Sequence, residues 1–430
     1  MAGDTEYTRH RVVIIATMYV GYCFYHLTRK SFSFIMPVVM EEGLDQSDLG
    51  LVISSQTMAY AFSKFLSGLA LDRLSARSMF AVGLFLCGVC NVVFILFDSV
   101  LLYSLLWFIN GLVQGFGWPA CAKVLRQWFK PSQFGTWWSI LATSMNLAGF
   151  VGPLVTMEIA TSYGWRAGLL IPGVLSLVLA VLSYGLVVDE PSHVGLENLV
   201  ANTQKKTTES KGEAPSMLSL LDSPYLWLIS LTYFVVFAVK TSCLNWGQLF
   251  LIQDKGHEPY VGSLFTSSLE FGGIFGSVIA GMVTDKMVKA TPLTGYGSPR
   301  HPYVISMLVT MGLALYGFSD RVEADTLETT IMTIAFVIGF TSYGCINLFG
   351  VLAIENSPSN LSGTSSAIVA LAANFGGLIA GYPFGLIAEN YNWETVFIIL
   401  EISVAVSILL FIIARNIKTR IGPTSAQKSA

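Results

Sequence analysis

Two cations, Arg29 and Lys30, lie inside a stretch of the sequence that is otherwise uncharged. Between Arg11 and Glu41 every other residue is uncharged at neutral pH, with His26 taken as neutral. The stretch is longer than the roughly 20 residues that a helix needs to cross a bilayer. Arg29 lies about 18 Å of helix from Glu41, at about 1.5 Å per residue, which is too far for its side chain to reach the membrane surface. Because an ionisable side chain inside the bilayer costs about 3 kcal/mol or more, Arg29 predicts a functional site.

A second membrane cation, Lys240, occupies the equivalent place in the other half of the chain. It lies near the midpoint of an otherwise uncharged stretch between Asp222 and Asp254. Internal similarity of this kind is typical of two parallel repeats that start from the same side of the membrane. Three matches at one constant offset along the chain indicate the repeat, namely Gly135-Thr136 with Gly363-Thr364, Asn146 with Asn374, and Tyr163-Gly-Trp165 with Tyr391-Asn-Trp393.

The repeat predicts that Arg29 and Lys240 face one cavity near the membrane midplane, where their mutual repulsion requires an anion. A guanidinium offers a rigid fork of donors that suits phosphate, and an ammonium adds a mobile point charge. Lys64, on the cytoplasmic side of the centre of the second helix, is a candidate third phosphate ligand or a charge on the substrate's entry path. The alternative is a side chain that only extends toward the surface. The alternative for the first two cations is an ion pair with an intramembrane carboxylate, Glu270 or Glu401.

Aromatic and amide side chains at similar depths are candidates for holding the organic part of a substrate. They are Tyr25, Tyr60, Trp118, Trp138, Asn146, Trp246, Gln248 and Asn374. Asn146 and Asn374 are favoured because they are repeat-equivalent amides deep in helices, where an unused amide is costly. For each aromatic residue the alternative is that it faces lipid or packs against other helices.

Charged pairs also follow the second helix of each half. They are Asp72-Arg73 and Asp285-Lys286, at the ends of the matching stretches Gly68-Leu-Ala-Leu-Asp72 and Gly281-Met-Val-Thr-Asp285. We interpret them as structural pairs that hold the two halves together on the cytoplasmic side without touching substrate.

The composition indicates a membrane protein in which helices position these residues. The chain has 430 residues, of which 53% are hydrophobic and 12% charged, against about 25% charged in soluble domains. Twelve apolar segments can be marked, and each is predicted to be helical because helices satisfy their own backbone in lipid. The fold class is therefore an all-α polytopic protein with two parallel six-helix repeats.

The predicted domains are an N-terminal half at 1–188, a polar cytoplasmic linker at 189–223, a C-terminal half at 224–414 and a cytoplasmic tail at 415–430. With both termini in the cytoplasm, that side receives 17 basic residues and the other side three. This bias predicts the orientation.

An enzyme is not predicted, because no phosphate-cradling, metalloprotease or nucleophile-elbow motif is present. The six cysteines have no metal-ligand spacing and are interpreted as small core residues. We expect no metal and no cofactor, and membrane lipid rather than nucleic acid as the surroundings.

Across its whole length the sequence resembles the organophosphate:phosphate antiporters of the major facilitator superfamily, especially the family's endoplasmic-reticulum glucose-6-phosphate exchangers. The stretches that carry the resemblance are Tyr25-His-Leu-Thr-Arg-Lys-Ser-Phe-Ser-Phe-Ile-Met-Pro37, Gly115-Phe-Gly-Trp-Pro119, Lys123-Val-Leu-Arg-Gln-Trp-Phe129, Ser132-Gln-Phe-Gly-Thr-Trp-Trp138 and Leu221-Asp-Ser-Pro-Tyr-Leu-Trp227.

The resemblance implies phosphate-binding roles for Arg29 and Lys240. Three departures from the family pattern are visible. Lys240 stands where an arginine is usual, Asn245 where an aspartate is usual, and Met145, before Asn146, where bacterial relatives have a histidine. Phosphate affinity is therefore expected to depend more on Arg29 than in those relatives.

The resemblance further implies exchange of glucose 6-phosphate for inorganic phosphate across the endoplasmic reticulum membrane by alternating access. Such exchange would supply a luminal glucose-6-phosphatase in glycogen breakdown and gluconeogenesis. Two alternatives are a transporter of another phosphate ester, such as glycerol 3-phosphate or a triose phosphate, and a sensor that binds sugar phosphate without transporting it.

Overall fold

The computed structural model describes residues 2–71, 75–129, 131–197, 218–290, 297–357 and 362–419. Within these ranges it contains fifteen α-helices and two 3₁₀-helices. The α-helices are α1 (Ala2–Met40), α2 (Gln46–Leu71), α3 (Ala76–Phe94), α4 (Val100–Gln114), α5 (Gly117–Trp128), α6 (Pro131–Tyr163), α7 (Trp165–Leu186), α8 (Leu218–Leu221), α9 (Pro224–Gln253), α10 (Pro259–Ala290), α11 (His301–Asp320), α12 (Glu328–Glu355), α13 (Ser362–Ile379), α14 (Tyr382–Asn390) and α15 (Trp393–Ile413). The predicted all-α class is confirmed.

These helices form twelve transmembrane segments in the described part of the chain. Segments α4–α5 and α13–α14 are each one span interrupted by a turn, and the four-residue α8 is too short to count. The interruptions lie close to Pro119 and Pro383, whose rings exclude the regular hydrogen bond of a helix interior. By length and composition, ten of the spans are apolar enough to cross a membrane. The other two are α2 and α1, which carries Arg29 and Lys30.

The chain divides into two compact units, Met1–Ser210 and Lys211–Ala430. The division falls within the predicted linker 189–223, of which residues 198–217 lie outside the described ranges. The described start of the linker forms a short 3₁₀-helix, Pro191–Val194.

Each unit packs its helices in the same pairs. In the first unit α1 packs on α6, α2 on α4 and α3 on α7; in the second, α9 packs on α13, α10 on α12 and α11 on α15. The two units also share the register in which these helices contact each other. In the first unit Gly111 lies so close to the carbonyl of Gln56 that an added methyl group would overlap it, and in the second unit Gly339 lies in the same way against the carbonyl of Leu269. In the sequence, Gly111 and Gly339 are repeat-equivalent, and so are Gln56 and Leu269. The predicted repeat is therefore present in the packing of each unit.

Candidate functional site

In the first unit, Arg29 lies between a histidine and a tyrosine. Its Nη2 donates to His26 Nδ1 at 2.8 Å, one turn earlier on α1. Because arginine only donates, His26 is neutral and carries its proton on Nε2. The guanidinium carbon lies 5.1 Å from the ring centroid of Tyr60 on α2, within the range of a cation–π interaction. Arg29 Nε is buried and has no hydrogen-bond partner in the described part of the chain. The site therefore holds a buried guanidinium with one donor, Nε, that no described residue satisfies.

An aromatic cluster adjoins Arg29 through Tyr22. The ring of Trp118 lies 5.0 Å from that of Tyr22 and 4.3 Å from that of Trp138. Arg29 interacts electrostatically with Tyr22 as well as with Tyr60. The structure thus brings three of the predicted residues, Tyr60, Trp118 and Trp138, into one neighbourhood with Arg29, and adds Tyr22, which sequence reasoning missed.

The contacts of Tyr25 favour the alternative that the sequence left open, in which the side chain packs against other helices. Its side chain is fully buried, its hydroxyl donates to the carbonyl oxygen of Phe80 at 2.8 Å, and its ring packs on Phe80 and Tyr22. The polar group is therefore used inside the first unit, and we replace the pocket-lining interpretation with a packing role.

For three other predicted residues we describe only the position in the fold and not the side-chain contacts. Asn146 on α6 and Asn374 on α13 are both half-buried, at equivalent positions of the two units. Lys64 belongs to α2, and its side chain lies outside the described residues.

In the second unit, Lys240 on α9 lies over two aromatic rings. Its Nζ is 4.2 Å from the ring centroid of Tyr343 on α12 and 5.2 Å from that of Phe237. The hydroxyl of Tyr343 donates to Glu270 Oε2 at 2.7 Å, and Glu270 is buried on α10. A tyrosine thus connects the membrane cation to the carboxylate that we considered as its direct partner. The other candidate carboxylate, Glu401, accepts from Ser319 Oγ at 2.5 Å.

Trp246 and Gln248 also pack inside the second unit. Trp246 is fully buried, its Nε1 donates to the carbonyl oxygen of Ala380 at 2.6 Å, and its ring lies 5.0 Å from that of Trp393. Gln248 is buried as well and donates to Ser263 Oγ at 3.4 Å. Both side chains hold neighbouring helices together, so the pocket-lining interpretation is replaced for them too.

Charged residues near the start of α11 and the end of α12 form a network within the second unit. Arg300 Nη2 donates to Asp285 at 2.8 Å and to Glu355 at 2.6 Å, and its Nε donates to Glu355 at 3.0 Å. Burial lowers the pKa of Arg300, but hydrogen bonds to Glu355 and Asp285 outweigh it and raise the pKa above its ordinary value. Asp285 was predicted to hold the two halves together, whereas its ion pair lies in its own half because Arg300 is at the start of α11. Lys286 is exposed.

The matching pair in the first half, Asp72 and Arg73, lies outside the described residues. Arg300 and Glu355 were not singled out from the sequence. The only sequence signal was a basic residue next to the start of an apolar segment.

The sequence matches the model of the Major Facilitator Superfamily over residues 18–381. The chain belongs to this superfamily.

Solved structures of other superfamily transporters have the same fold. A bacterial homologue of the human lysosomal transporter Spinster, in an inward-facing and occupied conformation, superposes with a TM-score of 0.76 at 11% identity, over 96% of this chain and 99% of that chain. A D-xylose-proton symporter gives 0.66 at 14% identity, over 96% and 98%. The predicted major facilitator fold is thereby confirmed.

More similar sequences come from bacteria. A probable hexose phosphate transport protein of Chlamydia pneumoniae is 32% identical over 429 residues, which cover 95% of this chain and 91% of that protein. The membrane sensor protein UhpC of Escherichia coli (strain K12) is 30% identical, with 97% and 94% covered. A glycerol-3-phosphate transporter of Bacillus subtilis (strain 168) is 29% identical, with 96% and 94% covered.

Proposed function

We propose that this superfamily member exchanges glucose 6-phosphate for inorganic phosphate. The observation that carries the proposal is that each half has a membrane-helix cation lying against a tyrosine ring: Arg29 with Tyr60, and Lys240 with Tyr343. Retaining a charge within the bilayer is costly. An anionic substrate accounts for retaining it in both halves, and the names of the bacterial relatives support a sugar or polyol phosphate.

In this proposal the phosphate group binds Arg29 and Lys240, with Lys64 as a further ligand. Arg29 supplies directed donors, and Lys240 supplies a charge whose position can adapt. The side chains proposed to contact the sugar are Tyr60, Trp118, Trp138, Asn146 and Asn374.

Charge compensation explains exchange rather than one-way transport. Two positive charges are costly to enclose in a low-dielectric interior, and a bound phosphate dianion reduces that cost. The loaded carrier therefore changes conformation readily and the empty carrier does not. The membrane is proposed to be the endoplasmic reticulum, with both termini in the cytoplasm, a linker at 189–223 and coupling to a luminal glucose-6-phosphatase.

Purified protein in liposomes tests the proposal directly. Labelled glucose 6-phosphate should enter vesicles loaded with phosphate and should not enter vesicles loaded with chloride. Arg29→Ala should abolish both phosphate homoexchange and glucose 6-phosphate exchange, whereas the exposed Arg321→Ala should retain both. Equal uptake with and without internal phosphate would refute the exchange mechanism, and exchange by Arg29→Ala would place the phosphate elsewhere.

A second candidate function is sensing, which the similarity to the membrane sensor protein UhpC favours. A sensor would bind glucose 6-phosphate without moving it. Thermal stabilisation by glucose 6-phosphate together with no counterflow in liposomes would support this function. Competition by glycerol 3-phosphate or a triose phosphate in the same assay distinguishes the other phosphate esters.

A further inference from the structure

Side-chain amides from neighbouring helices bind the turn of α1 that ends at Arg29. Gln114 Nε2, on α4, donates to the carbonyl oxygen of Tyr25 at 2.9 Å. Asn91 Nδ2, on α3, donates to the carbonyl oxygen of Thr28 at 3.1 Å. These carbonyls lie in the turn just before Arg29, so two helices fix the backbone from which the guanidinium extends.

Further hydrogen bonds hold the two amides themselves. Asn110 Oδ1 accepts from Gln114 Nε2 at 3.3 Å and from Gln56 Nε2 at 3.0 Å, which adds α2. Ser31 Oγ donates to Asn91 Oδ1 at 3.1 Å. All of these side chains are buried. We call the four residues Gln56, Asn91, Asn110 and Gln114 the amide network.

The second half packs the equivalent helices without amides at the positions that match Gln56, Asn110 and Gln114. Under the repeat, the matches are Tyr25 with Val236, Thr28 with Val239, Gln56 with Leu269, Asn110 with Ile338 and Gln114 with Ser342. The four apolar residues of this set are fully buried. The packing of these helices therefore does not require amides, and buried amides are costly unless they are satisfied.

The difference between the halves matches the difference between their cations. An arginine binds a tetrahedral oxyanion through a planar fork, whose orientation must be fixed for two parallel hydrogen bonds to form. A lysine acts as a point charge on a flexible stem and needs no such orientation. The amide network occurs in the half that carries Arg29, while the half that carries Lys240 has leucine and isoleucine in place of Gln56 and Asn110 and a serine in place of Gln114.

We infer that the amide network positions Arg29 as a preorganised ligand for the phosphate group, and that Gln114 and Asn91 are positioning residues which do not touch the substrate. The inference rests on the proposed function, because it assigns these residues to the phosphate ligand named there. It further assigns the two cations different tasks: Arg29 sets the orientation of the phosphate, and Lys240 adapts to it.

The test measures phosphate affinity in Gln114→Met and Asn91→Leu, which remove the donors and keep side chains of similar size. We expect the KM for phosphate homoexchange to rise about tenfold, while the maximal rate stays within about twofold. The matched control is Asn347→Leu, which removes an amide that donates to the carbonyl of Ser277 at 3.0 Å in the second unit. Its KM should equal that of the unmodified protein.

A general loss of structure is separated from a positioning role by repeating the measurement in an Arg29→Lys background. Phosphate-dependent thermal stabilisation serves as the readout, since it needs no transport. Gln114→Met should weaken phosphate binding about tenfold beside Arg29 and less than about twofold beside a lysine, because a point charge needs no orientation. Equal weakening in both backgrounds, or none in either, would overturn the inference.

Gln56→Leu is a second variant in case Gln114→Met does not fold. It installs the residue type found at the equivalent position of the second half, where it packs well, and it should weaken phosphate binding through Asn110. A folded Gln56→Leu protein with unchanged phosphate affinity would also overturn the inference. If Arg29→Ala itself binds phosphate normally, the proposed function fails; if only the amide variants bind normally, this inference alone fails.

Discussion

The ring of Tyr343 on α12 lies directly against the backbone of Gly273 on α10. A methyl group at position 273 would come within 2.8 Å of Cε2 and Cγ of that ring. The same ring lies under Lys240, and its hydroxyl donates to Glu270, one turn before Gly273. Helix α10 therefore holds the ring by two contacts, and the ring in turn contacts the membrane cation.

The first half provides its tyrosine from a different helix. Under the repeat, Tyr60, which lies near Arg29, is equivalent to Gly273, and Gly115 is equivalent to Tyr343. Tyrosine and glycine are thus exchanged between equivalent positions of the two halves. Each half keeps one tyrosine beside its cation.

Gly273→Ala should impair exchange because the added methyl group displaces Tyr343 from Lys240. A cation–π contact is worth about 0.5–2 kcal/mol, so its loss raises the KM for phosphate roughly 2- to 30-fold. The matched control is Gly281→Ala on the same helix, where the nearest atom, Asn347 Nδ2, would lie 3.8 Å away. Phosphate homoexchange in liposomes measures both variants, and identical KM values would show that the Tyr343 contact does not matter.

Tyr60 can be tested by separating its ring from its hydroxyl. The guanidinium of Arg29 lies 5.1 Å from the ring centroid, so Tyr60→Phe, which keeps the ring, should change the KM for phosphate less than about threefold. Tyr60→Leu removes the ring and should raise it about tenfold, which corresponds to about 1.4 kcal/mol. The order of the two variants decides the interpretation: a Phe variant as impaired as the Leu variant would mean that the hydroxyl, and not the ring, supports Arg29.

The sequence predicted the helices and the two cations because both signals are local. Length, apolar composition and an isolated charge are visible within one segment. It did not predict which aromatic residues pack inward, because α9 is apolar on all sides and its pattern does not reveal the buried face. The sequence therefore suggested both Trp246 and Trp118 as substrate contacts, although of the two only Trp246 is fully buried.

Arg300 and the amide network were missed for a related reason. Arg300 precedes an apolar segment and looks like an ordinary cytoplasmic charge, and only the tertiary fold brings it to Asp285 and Glu355. Asn91 and Gln114 contact backbone carbonyls of α1 from other helices. No spacing rule in the sequence indicates such contacts between helices.

Trp246 should act on stability and not on substrate affinity. Its indole is fully buried and donates to Ala380, so Trp246→Ala should lower the free energy of unfolding by about 3–5 kcal/mol. Trp227→Ala is the control, because that side chain is 56% exposed and its loss should cost less than about 1 kcal/mol. Thermal unfolding in detergent measures both. A Trp246→Ala protein of normal stability but raised KM for glucose 6-phosphate would return this residue to the substrate site.

Arg300 should be essential for the stability of the second unit. Its side chain is 3% exposed and donates to Glu355 and Asp285, and it also contacts Thr284 Oγ1. Arg300→Ala leaves these acceptors without their donor. The expected loss is about 3 kcal/mol, at the lower end for breaking a buried ion pair, because both carboxylates keep access to water.

The matched control for Arg300 is Arg321→Ala. That side chain is 71% exposed and pairs with Asp320 at 3.1 Å, so its removal should cost less than about 1 kcal/mol. Unfolding of the purified variants in detergent gives both values. Equal stabilities would mean that water replaces Arg300 at no cost, and the network would then have no structural role.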